Sequence, residues 1–361
     1  MTNTSSAPEP LSRPLKIGIY KTRYAGDVLL LVPLLHKLRL SYPESSLFLV
    51  VNEGTEDPVR LLGIPHIPFQ NRDMLRKSKS VREILGRIRL EPFDYWFDLT
   101  LSDRSRYISR RVASRRKIGA GWESDHSGSD PYDLFFPFDY DRGPEHIVSF
   151  HENVFRSAGL ALPAGTPDFT FPLEPEARDH AGDYLESLRF HDAPILVLHP
   201  GGRHWFKRWP PDRFGRFANW WGHKTGGVIF LAGTNSEDTL LDSVGAAIGP
   251  KIRWAKLQGS LSFLRAILAR SSLFIGNDSA PMHLARSVGI PGIALFGSTL
   301  PSVWGPLGSD RFRTLYKSVE CSPCRHVGCT LGEENCLREI SVDDAVRAAS
   351  DLINRFGSAG R

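Results

Sequence analysis

The 361-residue chain is 41% apolar and 24% charged, and its 21 Phe and 8 Trp supply enough core material to exclude wholesale disorder. Its 45 Lys and Arg against 40 Asp and Glu leave a net charge of +5, which permits an acidic partner but demands none. All four cysteines fall between Cys321 and Cys336, which excludes a secreted disulfide scaffold, and the longest apolar runs, such as VLLLVPLL, are far short of the ~20 residues of a membrane span.

Residues 1–14 are polar and Pro-rich and read as a disordered leader, without the basic-then-apolar pattern of a signal peptide. A soluble, cytoplasmic chain is expected. From Leu15, short apolar runs alternate with amphipathic stretches, the pattern of an α/β domain with a mostly parallel sheet. LKIGIY is the first strand, with a helix from about Asp27 to Ser41; SLFLVVN, from Ser46, and DYWFDLT, from Asp94, are further strands. A long helix opens near Glu145 and carries His146, His151 and Asn153, for which core packing is as good an explanation as substrate contact. Pro-rich sequence at 166–175 reads as a linker between a first domain, 15–165, and a second, 176–350, with a tail at 351–361. The second domain repeats the alternation through PILVLHP, GGVIFLAG, KIRWAKL, SLFIGN and GIALFG. No strand is followed by GxGxxG, and no Walker A loop is present.

Three stretches carry chemistry. In KTRYAGDVLLLVPLL, residues 21–35, Asp27 stands at the start of a helix, where a carboxylate caps backbone N–H groups; at the carboxyl end of the first strand it could equally serve as a general base. In HPGGRHWFKRWPPDRF, residues 199–214, Gly201 and Gly202 permit close backbone approach to a ligand, and Arg203, Lys207 and Arg208 offer donors suited to a diphosphate. A loop with solvated charges is the plainer alternative. In SLFIGNDSAPMHLARS, residues 272–287, a strand ends at Asn277, Asp278 and Ser279 provide a helix N-cap, and His283 follows one turn on. Such a terminus is an anion site in waiting, or simply a capped helix.

Taken in this order, the three stretches resemble the heptosyltransferases of glycosyltransferase family 9. The KT-x-x-x-GDV run, the K-x-WP of Lys207–Pro210 and the NDS-x-x-x-H-L-A run carry the resemblance, which spans roughly residues 15–350. The last run has Ala280-Pro281 where the family usually has Gly. The resemblance implies a GT-B fold, two Rossmann-like domains facing a central cleft. It further implies an inverting, metal-independent transfer of heptose from an ADP-heptose-type donor to a lipopolysaccharide core acceptor. By the same match Asp27 is the general base, and Lys207 stabilises the departing diphosphate. Gly201, Gly202, Thr234, Glu237, Asn277, Asp278, Ser279 and His283 bind the donor, and Lys21 holds acceptor anions.

Residues 104–117 carry seven Lys or Arg and no acid. They read either as one solvated helix face or as a patch, with Arg110 and Arg111 at its centre, for an acidic glycolipid acceptor and the inner membrane surface. The cysteines, C-x2-C-x4-C-x6-C at Cys321, Cys324, Cys329 and Cys336, suit four thiolates around one structural Zn or Fe, or else reduced thiols that merely pack. No cofactor is expected to be required for catalysis. Other readings stay open at this stage: transfer to a protein or a different glycan, nucleotide-sugar binding without transfer, and a nucleic-acid-binding protein using the basic run and the cysteine knuckle.

Overall fold

The structure, a computed structural model, describes residues 14–69, 79–88, 92–122, 130–139, 145–190, 193–324, 328–332 and 335–357. The expected leader at 1–14 lies outside them except for Pro14. Two compact units divide between Phe171 and Pro172, inside the stretch read as a linker.

The first unit runs β1 (Lys16–Lys21), α1 (Ala25–Leu29), α2 (Val32–Ser41), β2 (Ser46–Asn52), α3 (Asp57–Leu61), β3 (His66–Phe69), α4 (Lys79–Ile88), β4 (Phe93–Asp98), α5 (Asp103–Ser109), β5 (Ser114–Trp122), β6 (Leu134–Phe138) and α6 (Ile147–Ser157). Its six strands are parallel, in the order β3-β2-β1-β4-β5-β6. The single helix expected from Asp27 to Ser41 is two helices. Pro33, which carries no N–H, sits in the first turn of α2, where a missing donor is harmless, and α1 ends at Leu29.

The second unit runs α7 (Pro175–Ser187), β7 (Ile195–His199), α8 (Pro211–Thr225), β8 (Val228–Ala232), α9 (Asp238–Gly245), β9 (Trp254–Leu257), α10 (Leu261–Leu268), β10 (Leu273–Asn277), α11 (Ala280–Val288), β11 (Gly292–Phe296), α12 (Pro301–Trp304), β12 (Phe312–Tyr316) and α13 (Val342–Phe356). Its parallel order is β12-β11-β10-β7-β8-β9. Renumbered from its own first strand this is 3-2-1-4-5-6 read backwards, the same doubly wound order as the first unit. Strands such as ILVLH, VIFLA and LFIGN are buried end to end, because helices cover both faces of such a sheet. Trp209, Phe214, Phe217 and Trp221 fill the layer between α8 and the sheet.

Two sequence expectations are corrected here. Residues 351–356 are no tail: they complete α13, whose Ala345, Ala349 and Leu352 are buried in the core of the second unit. The basic run at 104–117 is no single helix face, because it divides between α5 and β5. Within it Arg106 is committed to the buried Asp130 side chain at 2.8 Å and to the Leu101 carbonyl at 2.9 Å, and Arg111, just beyond α5, lies 3.5 Å over the ring of Tyr107 on that helix. Among the described residues, no helix is long and apolar enough to cross a membrane.

Candidate active site

In an open doubly wound sheet, ligands gather beyond the carboxyl ends of the strands where the winding reverses. These points lie between β1 and β4 in the first unit and between β7 and β10 in the second. All three chemistry-bearing stretches leave one of those four strands.

In the first unit, Lys21 ends β1 and is 5% exposed. Its Nζ donates to the Leu99 carbonyl at 3.0 Å and stands 3.5 Å from Asp27 Oδ1. The other carboxylate oxygen, Oδ2, accepts the Tyr24 N–H at 3.2 Å. Capping and chemistry are therefore not alternatives for Asp27: one oxygen secures the turn and the other faces a cation.

Arg110 and Arg111 are not brought to this carboxylate. Helix α5 leaves the carboxyl end of β4 and runs back along the sheet, and Ser114, shortly after it, pairs with Phe93 at the start of β4. The two arginines thus stand near the amino ends of the strands, the opposite ends from Asp27.

On α6, His146 accepts the Val148 N–H through Nδ1, Asn153 bonds Glu145, and His151 is buried. Burial, then the charges of Lys21 and His146, hold the His151 imidazole well below its ordinary pKa, so it is neutral in the folded protein. The sign follows from linkage. In the unfolded chain the imidazole takes up a proton below about pH 6.5, whereas the native one does not, so stability falls as pH drops through that value. His151→Leu is expected to flatten the pH dependence of the melting temperature between pH 7 and pH 5, where the native histidine costs up to about 2 kcal/mol. An unchanged slope would show that His151 is protonated in place.

In the second unit the chain leaves β7 through Pro200, Gly201 and Gly202. A Cβ at Gly201 would stand 2.3 Å from Glu237 Oε1 and 2.8 Å from the His199 ring, so only glycine lets these groups close in. Glu237 Oε1 accepts the Gly202 N–H at 3.3 Å, and Oε2 accepts the Thr234 N–H at 3.0 Å and its hydroxyl at 3.1 Å. Burial works to raise the Glu237 pKa, but these hydrogen bonds and the neighbouring His199 outweigh it and hold the group ionised.

Asn277 is fully buried. Its Nδ2 donates to the Pro200 and Gly201 carbonyls at 2.9 and 3.0 Å, and its Oδ1 accepts the Trp209 N–H at 3.0 Å. Asn277 and Glu237 therefore brace the loop between β7 and α8. Thr234, bonded to Glu237 and Ser236, belongs to the same brace.

Asp278 accepts the Thr299 hydroxyl at 2.6 Å and lies 3.8 Å from Lys207 Nζ. The Lys207 side chain is 26% exposed, tethered yet open to a ligand. Ser279 is the N-cap of α11, but its hydroxyl donates back to the Asn277 carbonyl and does not cap. No side chain caps this helix start, which is the arrangement an incoming anion exploits. His283 is buried one turn further along.

The cysteine loop is nearer to this site than its place in the sequence suggests. Cys324 N–H donates to the Ser298 carbonyl, Ser322 Oγ to the Gly297 carbonyl, and Cys336 Sγ packs where a Cβ of Gly297 would be. These residues directly precede Thr299, the partner of Asp278. Burial pushes the Cys336 thiol up to about 11, with the other three cysteines adding to the effect. Burial also raises Cys324, and Lys207 opposes it. Among the described residues, no group of three or more His, Cys, Asp or Glu stands arranged to hold a metal ion.

Two six-stranded parallel sheets of the same doubly wound order are those of the GT-B fold class. The family model for glycosyltransferase family 9 (heptosyltransferase) matches residues 81–334, and the chain belongs to that family. It is 24% identical over 345 residues to lipopolysaccharide heptosyltransferase 3 of Escherichia coli strain K12, covering 92% of this chain and 96% of that one. Among solved structures it is similar to a family 9 glycosyltransferase from Veillonella parvula, with a TM-score of 0.79 at 22% identity, over 95% of this chain and 98% of that one. It is also similar to an E. coli heptosyltransferase, WaaC, solved with ADP, with a TM-score of 0.68 at 17% identity over 94% and 100% of the two chains. The nucleic-acid-binding reading falls with the family assignment and with the division of the basic run.

Proposed function

We propose that this enzyme moves heptose from an ADP-heptose-type donor to a lipopolysaccharide core acceptor, with inversion at the anomeric carbon and with Asp27 as general base. The observation that carries the reading is the Asp27 carboxylate, held by the Tyr24 N–H and facing Lys21 at the switch point of the first sheet. The relatives' names, a lipopolysaccharide heptosyltransferase and a heptosyltransferase solved with ADP, support the choice of donor and acceptor. The acceptor hydroxyl loses its proton to Asp27 as its oxygen forms the new bond to the anomeric carbon. The bond from that carbon to the diphosphate breaks on the opposite face, and the electron pair leaves with the diphosphate. Lys207 and the N–H groups at the start of α11 meet the charge that develops there, without need of a divalent ion.

Mass spectrometry of the products from ADP-heptose and truncated core acceptors tests this reading. A mass increase of one heptose on the lipid-linked core is expected. Transfer from another nucleotide sugar only, or to a protein only, overturns the donor or the acceptor respectively.

Cys321, Cys324 and Cys329 add to the rise that burial gives the Cys336 thiol, the four sulfurs are the donor set of a structural Zn or Fe site, and we propose that role for them. Cys321, Cys324, Cys329 and Cys336 would hold the ion, which would fasten the loop beside Ser298 and Thr299. Elemental analysis of the purified enzyme is expected to find about one Zn or Fe per chain. Cys336→Ser should lose that ion and melt earlier. Metal-free protein with an unshifted melting temperature leaves the cysteines as packed thiols.

A further inference from the structure

The last residue of β4, Asp98, is fully buried, and among the described residues it forms no ion pair. Its Oδ1 accepts two consecutive backbone donors, the N–H groups of Thr100 and Leu101, at 2.9 and 3.0 Å. Its Oδ2 accepts the Tyr132 hydroxyl at 2.6 Å and, at 3.5 Å, that of Ser109. A carboxylate so far from water is kept in place only because its lone pairs meet donors.

The loop it grips is strained. Leu101 has φ of +51°, in the left-handed region that a branched side chain avoids, and Arg106 holds its carbonyl. Neighbouring β5 is cut away to admit these parts. A Cβ at Gly119 would stand 2.5 Å from the Tyr132 ring, and one at Gly121 would stand 2.6 Å from Leu101 Cδ1. A backbone forced into an unfavourable conformation by this many groups points to a use for its position.

That use lies across the switch point. The Leu99 carbonyl takes the Lys21 ammonium, the Thr100 hydroxyl oxygen takes the Thr22 N–H at 3.0 Å, and the Thr100 carbonyl takes the Arg23 guanidinium at 3.2 Å. Three consecutive residues leading to Asp27 are thus fastened to the two residues after Asp98. We propose that Asp98 is a positioning residue for the transfer reaction. By holding 99–101 in its strained course, it sets the segment 21–24 and so the direction of the Asp27 carboxylate. The inference rests on the reading of Asp27 as base and adds a residue that touches neither substrate.

Asp98→Asn keeps an oxygen for the two backbone donors, and its amide can face hydroxyls able to turn and accept; Asp98→Ala loses everything. Hydrogen exchange of a peptide covering residues 20–31, kcat, and the dissociation constant for ADP are measured on both. Expected for Asp98→Ala are faster exchange in 20–31, a fall in kcat of about 10²-fold from the misplaced carboxylate, and unchanged ADP affinity. Asp98→Asn should restore most of both the exchange protection and the turnover.

If Asp98→Ala does not fold, Thr100→Val, which removes only the acceptor of the Thr22 N–H, should still speed exchange and lower kcat several-fold with ADP binding intact. Unchanged exchange in 20–31 overturns the latch. Faster exchange with wild-type turnover severs the latch from the reaction, and Asp27→Asn measured alongside shows whether the base assignment is the part that failed.

Discussion

Asp27→Asn is expected to lower kcat by about 10²- to 10⁴-fold, the usual contribution of a positioned general base, while leaving ADP affinity and the melting temperature near their wild-type values. Asparagine separates the two duties of this side chain. Its amide oxygen can still accept the Tyr24 N–H, so the turn before α1 survives, but it cannot take a proton from an attacking hydroxyl. Asp27→Ala removes both duties and should add a stability loss of about 1 kcal/mol to the same fall in rate. Turnover measured as ADP release, beside thermal melts of all three proteins, distinguishes the cap from the base. An Asp27→Asn enzyme that transfers at the wild-type rate removes Asp27 from the mechanism, whatever the helix loses.

Lys207→Ala is expected to cost about 10²- to 10³-fold in kcat, since charge on the leaving diphosphate develops mostly in the transition state. ADP should also bind more weakly, because the charge persists in the product. The ammonium is steered by Asp278, 3.8 Å away, which the Thr299 hydroxyl holds in turn. Thr299→Val should therefore reproduce a fraction of the Lys207→Ala defect without removing any charge. Lys207→Arg should recover only part of the rate, since a planar guanidinium cannot occupy the site of a compact ammonium. Wild-type turnover in Lys207→Ala would move the leaving-group role to the start of α11 alone.

The elements that were easiest to read are those that parallel sheets make plain. ILVLH, VIFLA and LFIGN are continuous apolar runs because both faces of the strand are covered, and each is followed by polar or glycine-rich sequence where the chain turns. Asp27, Lys207 and Asp278 stood out as candidates for the same reason: a charged residue shortly after such a strand stands at the end where ligands collect.

The bracing role of Asn277 and Glu237 could not be read locally because their partners are remote. Asn277 binds Pro200, Gly201 and Trp209, at least 68 positions away, and Glu237 binds Gly202 from 35 positions away. Local sequence shows a polar residue at the right strand end, and nothing in it says that the hydrogen bonds are already taken. Asp98 was passed over as the end of the strand DYWFDLT. The available signal was a carboxylate closing an aromatic strand beside the switch point, with two small residues of KIGAGW opposite it.

The sequence alone determined the two-unit α/β plan and the family resemblance, and it singled out Asp27 and Lys207 as the residues to test, because strand periodicity and local motif spacing are short-range properties. Tertiary structure decided which polar residues are free for chemistry and which are braces. It also set Arg110 and Arg111 near the amino ends of the strands and brought the cysteine loop beside Thr299. Those outcomes depend on the direction in which a helix returns along a sheet and on hydrogen bonds closed between residues tens of positions apart. A buried donor or acceptor must find its partner wherever the fold places one.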